Sequence, residues 1–198
     1  MNARKLLFYV LAGLMGGCVP VISLHPLYTK DNLVFDKKLL GTWVDNPNEP
    51  EVIWKFASAD ESKKAYNLIF TDDDGLKGSF LVHLVKLKEN LFLDIFPSEA
   101  PWEMDDPNES QWPYNSLFMI PAHTFVKVDS LSPKIKMRLM LDNQLEKLLD
   151  ENPDAIAHVM VEDRPVLTAS TKELQAFVLK YADTDKLFTD EIVLERRD

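Results

Sequence analysis

The chain has little with which to cross-link itself. A single cysteine, Cys18, stands among 198 residues, so no disulfide can form within one molecule and the fold must rest on its core. Six glycines and twelve prolines exclude a low-complexity polymer, and no internal repeat is visible. Basic residues are also short: 22 against 32 acidic ones, a formal net charge of −10. Such a surface repels phosphate backbones, which argues against nucleic acid as a partner. Catalytic signatures are missing as well. There is no G-x-S-x-G elbow and no phosphate-cradling glycine loop. His25, His123 and His158 have no cysteine or carboxylate at zinc-ligand spacing. Asp72-Asp73-Asp74-Gly75 lacks the spaced acids and closing glutamate of a calcium loop and fits a hairpin turn instead. Asp105, Asp106, Asn108 and Glu109 fit a solvated acidic loop. The expectation is a protein without cofactor or metal. Catalysis stays open in principle, but no nucleophile, base and stabiliser are in view.

What is present begins at the N-terminus. Arg4 and Lys5 precede the apolar run 6–12, and Gly13-Leu14-Met15-Gly16-Gly17 leads into Cys18. This is the three-part layout of a secretory signal, with a run too short to span a bilayer securely. Met15-Gly16-Gly17-Cys18 resembles the bacterial lipobox, in which the signal is cut before a cysteine that carries diacylglycerol. An ordinary secretory signal and an uncleaved anchor helix are the alternatives. Residues 1–17 are therefore expected to be a signal peptide, 18–35 a lipidated tether that becomes a packed arm, and 36–198 one domain. Cleavage removes two basic residues and no acidic one, taking the formal charge to about −12. Lipid, rather than a basic patch, would then hold the protein to a membrane: two or more acyl chains anchor stably, at about 0.8 kcal/mol per buried CH₂. The expected location is the cell envelope, facing the periplasm or exterior. Val19 in place of Asp leans towards the outer membrane, if the cell has one.

The mature chain is rich in alternating segments. EVIWKFA (51–57), KAYNLIFT (64–71) and the long pair FLVHLVKLKENLFLDIFP (80–97) read as strands, as do SLFMI, HTFVKVD, KIKMRLML, AIAHVMVE, PVLTA and DEIVLER. Asp36 caps a helical turn before a strand bearing Trp43. Helices are expected from Asp142 to about Asp150, stopped by Pro153, and after Ser170. There, Ser170-Thr171-Lys172-Glu173 fits a capping box, and Leu174, Phe177, Val178 and Tyr181 share one face. The fold class expected is mostly β (α+β by content): an antiparallel, closed or nearly closed sheet of nine or ten strands with two short helices.

The turn followed by Gly41-Thr42-Trp43 resembles the G-x-W start of the lipocalins. That resemblance implies an eight-stranded up-and-down barrel with a helix before the last strand. It also implies a tryptophan plugging one end beneath a late-strand arginine, here Arg196 or Arg197. SLHPLYT and LLGTW are in addition similar to segments of uncharacterised bacterial lipoproteins.

Candidate binding residues follow from the pattern. If the 80–97 hairpin turns at Glu89-Asn90, His83 and Asp94 become diagonal neighbours on a face shared with Val85, Leu87 and Phe92. The pair either orients a base or marks a polar spot in a cavity, or is a satisfied polar pair fixing strand register in the core. Both faces of this hairpin are apolar, so one must be covered, and the helix after Ser170 is the best cover. The segment 98–113, SEAPWEMDDPNESQWP, holds five acids and no base. Its Trp102 and Trp112 either close over an apolar ligand or pin the loop to the barrel. Two functions are expected from this. The first is a non-catalytic domain binding a small apolar or amphiphilic ligand in a cup lined by Trp43, Trp54, Phe70, His83, Phe92 and Asp94, under Trp102 and Trp112. The alternative is a structural lipoprotein with a filled core that recruits a protein partner through 98–113.

Overall fold

The computed structural model describes residues 19–60, 62–98, 120–162, 164–184 and 186–197. Cys18, Trp102 and Trp112 lie outside the described residues, as does the expected strand SLFMI except its last residue, Ile120.

The alternating segments become β3 (Gly41–Val44), β4 (Ile53–Asp60), β5 (Ala65–Thr71), β6 (Lys77–Leu87), β7 (Asn90–Pro97), β8 (Thr124–Ser130), β9 (Ile135–Leu139) and β12 (Ile192–Arg197). Each pairs antiparallel with the next, β6 pairs with β7, and β12 closes the ring between β9 and β3. The result is an eight-stranded up-and-down antiparallel barrel. Closure removes the free edges that an open sheet would expose. A two-residue strand, β2 (Leu33–Val34), pairs with Val85 and Leu84 of β6 just beyond the last residue that β5 covers.

The expectation that all strands share one sheet is corrected. β1 (Ile22–Ser23), β10 (His158–Val161) and β11 (Arg164–Leu167) form a separate three-stranded sheet in the order β1-β11-β10. β10 and β11 belong to an insertion between β9 and β12 that also carries α1 (Asp142–Glu151) and α2 (Thr171–Tyr181). The insertion leaves from one end of the barrel and returns to it, so the closure is undisturbed. That end, the mouth, also holds the connections 45–52 and 72–76, the end of β7 and the start of β8, whereas the short turns 62–64, 88–89 and 131–134 lie at the other. Both helices form where their apolar stripes placed them, and α2 also carries the expected cap. Ser170 Oγ accepts from Glu173 N while Glu173 Oε2 accepts from Ser170 N at 2.9 Å. Leu174, Phe177 and Val178 are buried.

The hairpin register is also corrected. His83 stands directly opposite Asp94 and Leu87 opposite Asn90, so the turn is Lys88-Glu89, with Lys88 at φ 54. The expected and observed pairings differ by two residues. Such a slip keeps every side chain on its own face, and the apolar pattern therefore cannot choose between them.

Candidate functional site

The barrel strands bury side chains on two faces. Inside, Trp43, Trp54, Phe56, Tyr66, Leu68, Val82, Leu84, Leu93, Ile95, Val126 and Met137 belong to one buried cluster. Eight strands leave an interior about wide enough for side chains to fill, and here they fill it. Trp43 Nε1 donates to Leu39 O at 2.9 Å, and the Arg196 guanidinium lies 4.5 Å from the Trp43 ring centroid, a cation–π contact. Arg196 also donates to Lys38 O. Gly41 makes this crossing possible: its φ is +121, and a Cβ there would come within 2.6 Å of Arg196 Nη1. The tryptophan and arginine implied by the G-x-W start thus meet as Trp43 and Arg196. Tyr66 accepts from Asp36 N at 2.6 Å, donates to Asp36 O and stacks on Phe35. Burial pushes its phenol up to about 12. Nearer the mouth, Trp54 meets Phe70 edge-on, with centroids 5.2 Å apart, and Phe70 and Phe80 are half-buried.

The six described candidates do not line one cup. Trp43, Trp54 and Phe70 face the interior, whereas His83, Phe92 and Asp94 face outwards. Along β6 and β7 the interior takes Val82, Leu84, Leu93 and Ile95; the outer face takes Val85, Leu87 and Phe92. Both sets are apolar because both are covered. Leu174, Phe177 and Val178 of α2, Leu145 and Leu148 of α1, and Val21 and Leu27 of the N-terminal arm pack on the outer set.

Within this seam sits a polar cluster. Asp94 is fully buried. Its Oδ2 accepts the Leu27 N–H at 2.6 Å, and its Oδ1 lies 2.6 Å from His123 Nδ1, which donates the ring proton. His83 lies across the strand pair from Asp94, and the Tyr28 ring covers it at 4.3 Å between centroids. The Phe96 ring lies 4.5 Å from His123. His83 Nδ1 is buried without a hydrogen-bond partner among the described residues. Burial holds the His83 imidazole below the usual histidine range; the Asp94 charge opposes this, and His123 adds to it. The Tyr28 phenol is raised, first by burial and then by Asp94. The strand edge is shared too, since Ser23 and His123 exchange backbone hydrogen bonds at 2.8 Å.

This geometry explains why the cluster is here. The arm around Leu27 has almost no regular structure, so its buried N–H needs an acceptor from elsewhere, and Asp94 supplies it. An Asp–His pair is also what orients a catalytic base. Among the described residues, however, no serine, threonine or cysteine side chain hydrogen-bonds to either imidazole. The rings meet Tyr28 and Phe96 instead. No group of three or more histidine, cysteine or acidic side chains among the described residues is placed to hold a metal ion.

Sequence reasoning did not connect His123 and Tyr28 to this cluster. His123 shares a face with Phe125 and Lys127 in the alternating run HTFVKVD, but only the β7–β8 register, with Asp94 opposite Phe125, makes it a diagonal neighbour of Asp94. Tyr28 lies in a stretch with no periodicity to place it. Comparison of the chain with protein-family models, with curated proteins and with solved structures finds no match.

Proposed function

We propose that the chain is a lipid-anchored, extracytoplasmic binding domain without catalytic chemistry, whose filled barrel is a scaffold for recruiting a protein partner through the acidic segment 98–113. The observation that carries this reading is the interior itself. Trp43, Tyr66, Leu68, Leu84, Leu93 and Met137 occupy the space that a ligand cup would need, each essentially inaccessible to water. Binding is then left to the surface, and 98–113 is the most distinctive stretch of the sequence, with five acids and no base. The lipid anchor rests on the charged start, the apolar run and the small residues before Cys18. Proximity labelling in the producing cell tests the reading. One basic or mixed-charge partner should be enriched by the wild type and lost when 98–113 is replaced by a short turn. Equal labelling by both discards it.

A second reading is favoured by the mouth. Phe70 and Phe80 are only half-buried there, and β7, after which the sequence runs on to Trp102 and Trp112, ends there. A small apolar or amphiphilic ligand held between those rings and the barrel rim would need no deep cup.

A further inference from the structure

β10 is the free edge of the second sheet, and its Val159, Met160 and Val161 are 48, 53 and 54 % exposed. Side chains along a strand alternate between faces, so Val159 and Val161 show on one face of this strand end, and Met160 shows on the other at the rim of a groove against α1. The other exposed large apolar side chains among the described residues, Leu24, Ile69, Leu76 and Ile120, stand singly. Single ones are ordinary on a soluble surface, whereas a contiguous patch marks a contact.

The start of the described chain indicates what covers this patch. β1 runs parallel to β11, with Ile22 beside Val166. Backwards from Ile22, the chain therefore heads towards the Arg164 end of β11, which is the tip of the β10–β11 hairpin. Asp142 ties the two together. Its N–H donates to Val19 O at 3.0 Å, and its Oδ2 lies 3.7 Å from Arg164 Nε at the base of the hairpin turn. Arg164 in turn pairs with Val161. Cys18 is one residue before Val19, and one extended residue spans only about 3.5 Å. Neighbouring strands are about 4.8 Å apart. An acylated Cys18 would thus leave almost no tether and would hold the hairpin tip at the bilayer surface.

We infer that the end of the β10–β11 hairpin is a membrane-contact site, with Val159, Met160 and Val161 entering the interfacial layer beside the acyl chains of Cys18. The inference rests on the lipid-anchor reading and adds an orientation to it. Insertion is apolar in character, because the neighbouring groove between α1 and β10 carries Glu146 and Asp150 and the chain is acidic overall. The surface it fits is a zwitterionic one rather than a strongly anionic one.

Met160→Cys in the lipidated protein provides the test, since Cys18 carries lipid and the new thiol is the free one. The thiol takes an environment-sensitive fluorophore, and the protein is reconstituted in phosphatidylcholine vesicles containing a shallow spin-labelled lipid. Ile69→Cys, on the bare outer face of β5, is the reference. Quenching at position 160 is expected to exceed that at position 69 by roughly threefold or more, as for an apolar group at the headgroup boundary. Equal quenching at the two positions, in protein that floats with the vesicles, overturns the membrane contact and leaves the anchor standing. Protein that does not float overturns the anchor and this inference with it. An emission shift at position 160 that grows with protein concentration in the Cys18→Ser form, without vesicles, assigns the patch to a second copy and overturns the inference as well.

Discussion

The inside of the barrel and the seam on its outer face are built from the same strands, yet they solve different problems. Inside, nondirectional packing suffices: strands supply their own backbone partners, and side chains such as Leu84, Leu93 and Met137 need only fill space. In the seam, an arm with almost no ladder of its own lies across β6, β7 and β8. Its position is set by directional groups: Asp94 on the Leu27 N–H and on His123, Ser23 paired with His123, and Gln175 and Thr171 donating to Leu27 O and Pro26 O. Lys127, also nearly fully buried, holds the chain just beyond α2 through Asp183 at 3.3 Å and pairs with Asp129 of its own strand at 3.2 Å. The difference teaches that buried charge in this protein marks where irregular chain is fastened to the barrel.

Substitutions on the two sides should therefore fail differently. Trp43→Ala removes the largest fully buried interior side chain together with its Arg196 contact, and should cost about 3–5 kcal/mol in urea unfolding. The loss should be global, without selective exposure of the arm. Asp94→Ala strands the Leu27 N–H and frees His123, and should cost about 2–4 kcal/mol. Its signature should be local: limited proteolysis or amide exchange should open residues 19–28 before the barrel. If both variants release the arm equally, the division between interior and seam is wrong.

Smaller effects sharpen the contrast. Tyr66→Phe leaves the Asp36 N–H without its acceptor, and should lose about 1–3 kcal/mol by the same unfolding assay. Ser170→Ala breaks the capping box of the covering helix and should cost about 1 kcal/mol. The least effect at neutral pH is expected at His83. Its folded-state proton affinity is lowered, chiefly by burial, below the ordinary value of 6.5, so the unfolded chain binds more protons as pH falls through that value. The stability that His83 contributes is complete above about pH 6.5 and declines below it, until the folded imidazole also protonates. Asp94, His123 and Tyr28 are the titratable groups that face the same ring. His83→Phe should flatten the fall in denaturation midpoint between roughly pH 6.5 and pH 5. An unchanged slope would show that His83 does not sense this window.

Much of this architecture was legible before any coordinates. Alternation in 51–57, 64–71 and 80–97 located the hairpins. Ser170 and Glu173 located a helix, and Gly41-Thr42-Trp43 pointed to the plug that Arg196 completes. The limits have physical causes. Strands apolar on both faces do not say which face is inside, so His83 and Asp94 were assigned to a cup when they face the seam. A slip of two residues is invisible to a period-two pattern, so the turn was placed one residue late. Short strands such as β1, held by neighbours far away in sequence, carry no local signal at all.

The central claim is that the barrel's own side chains fill its interior. Native mass spectrometry of the full protein purified from the producing cell tests this most directly. The account predicts the mass of the covalent chain, with whatever is covalently attached to it, and nothing more. A stoichiometric additional mass that survives delipidation of the surface and disappears in a Leu93→Trp variant, where the interior is further crowded, would contradict it.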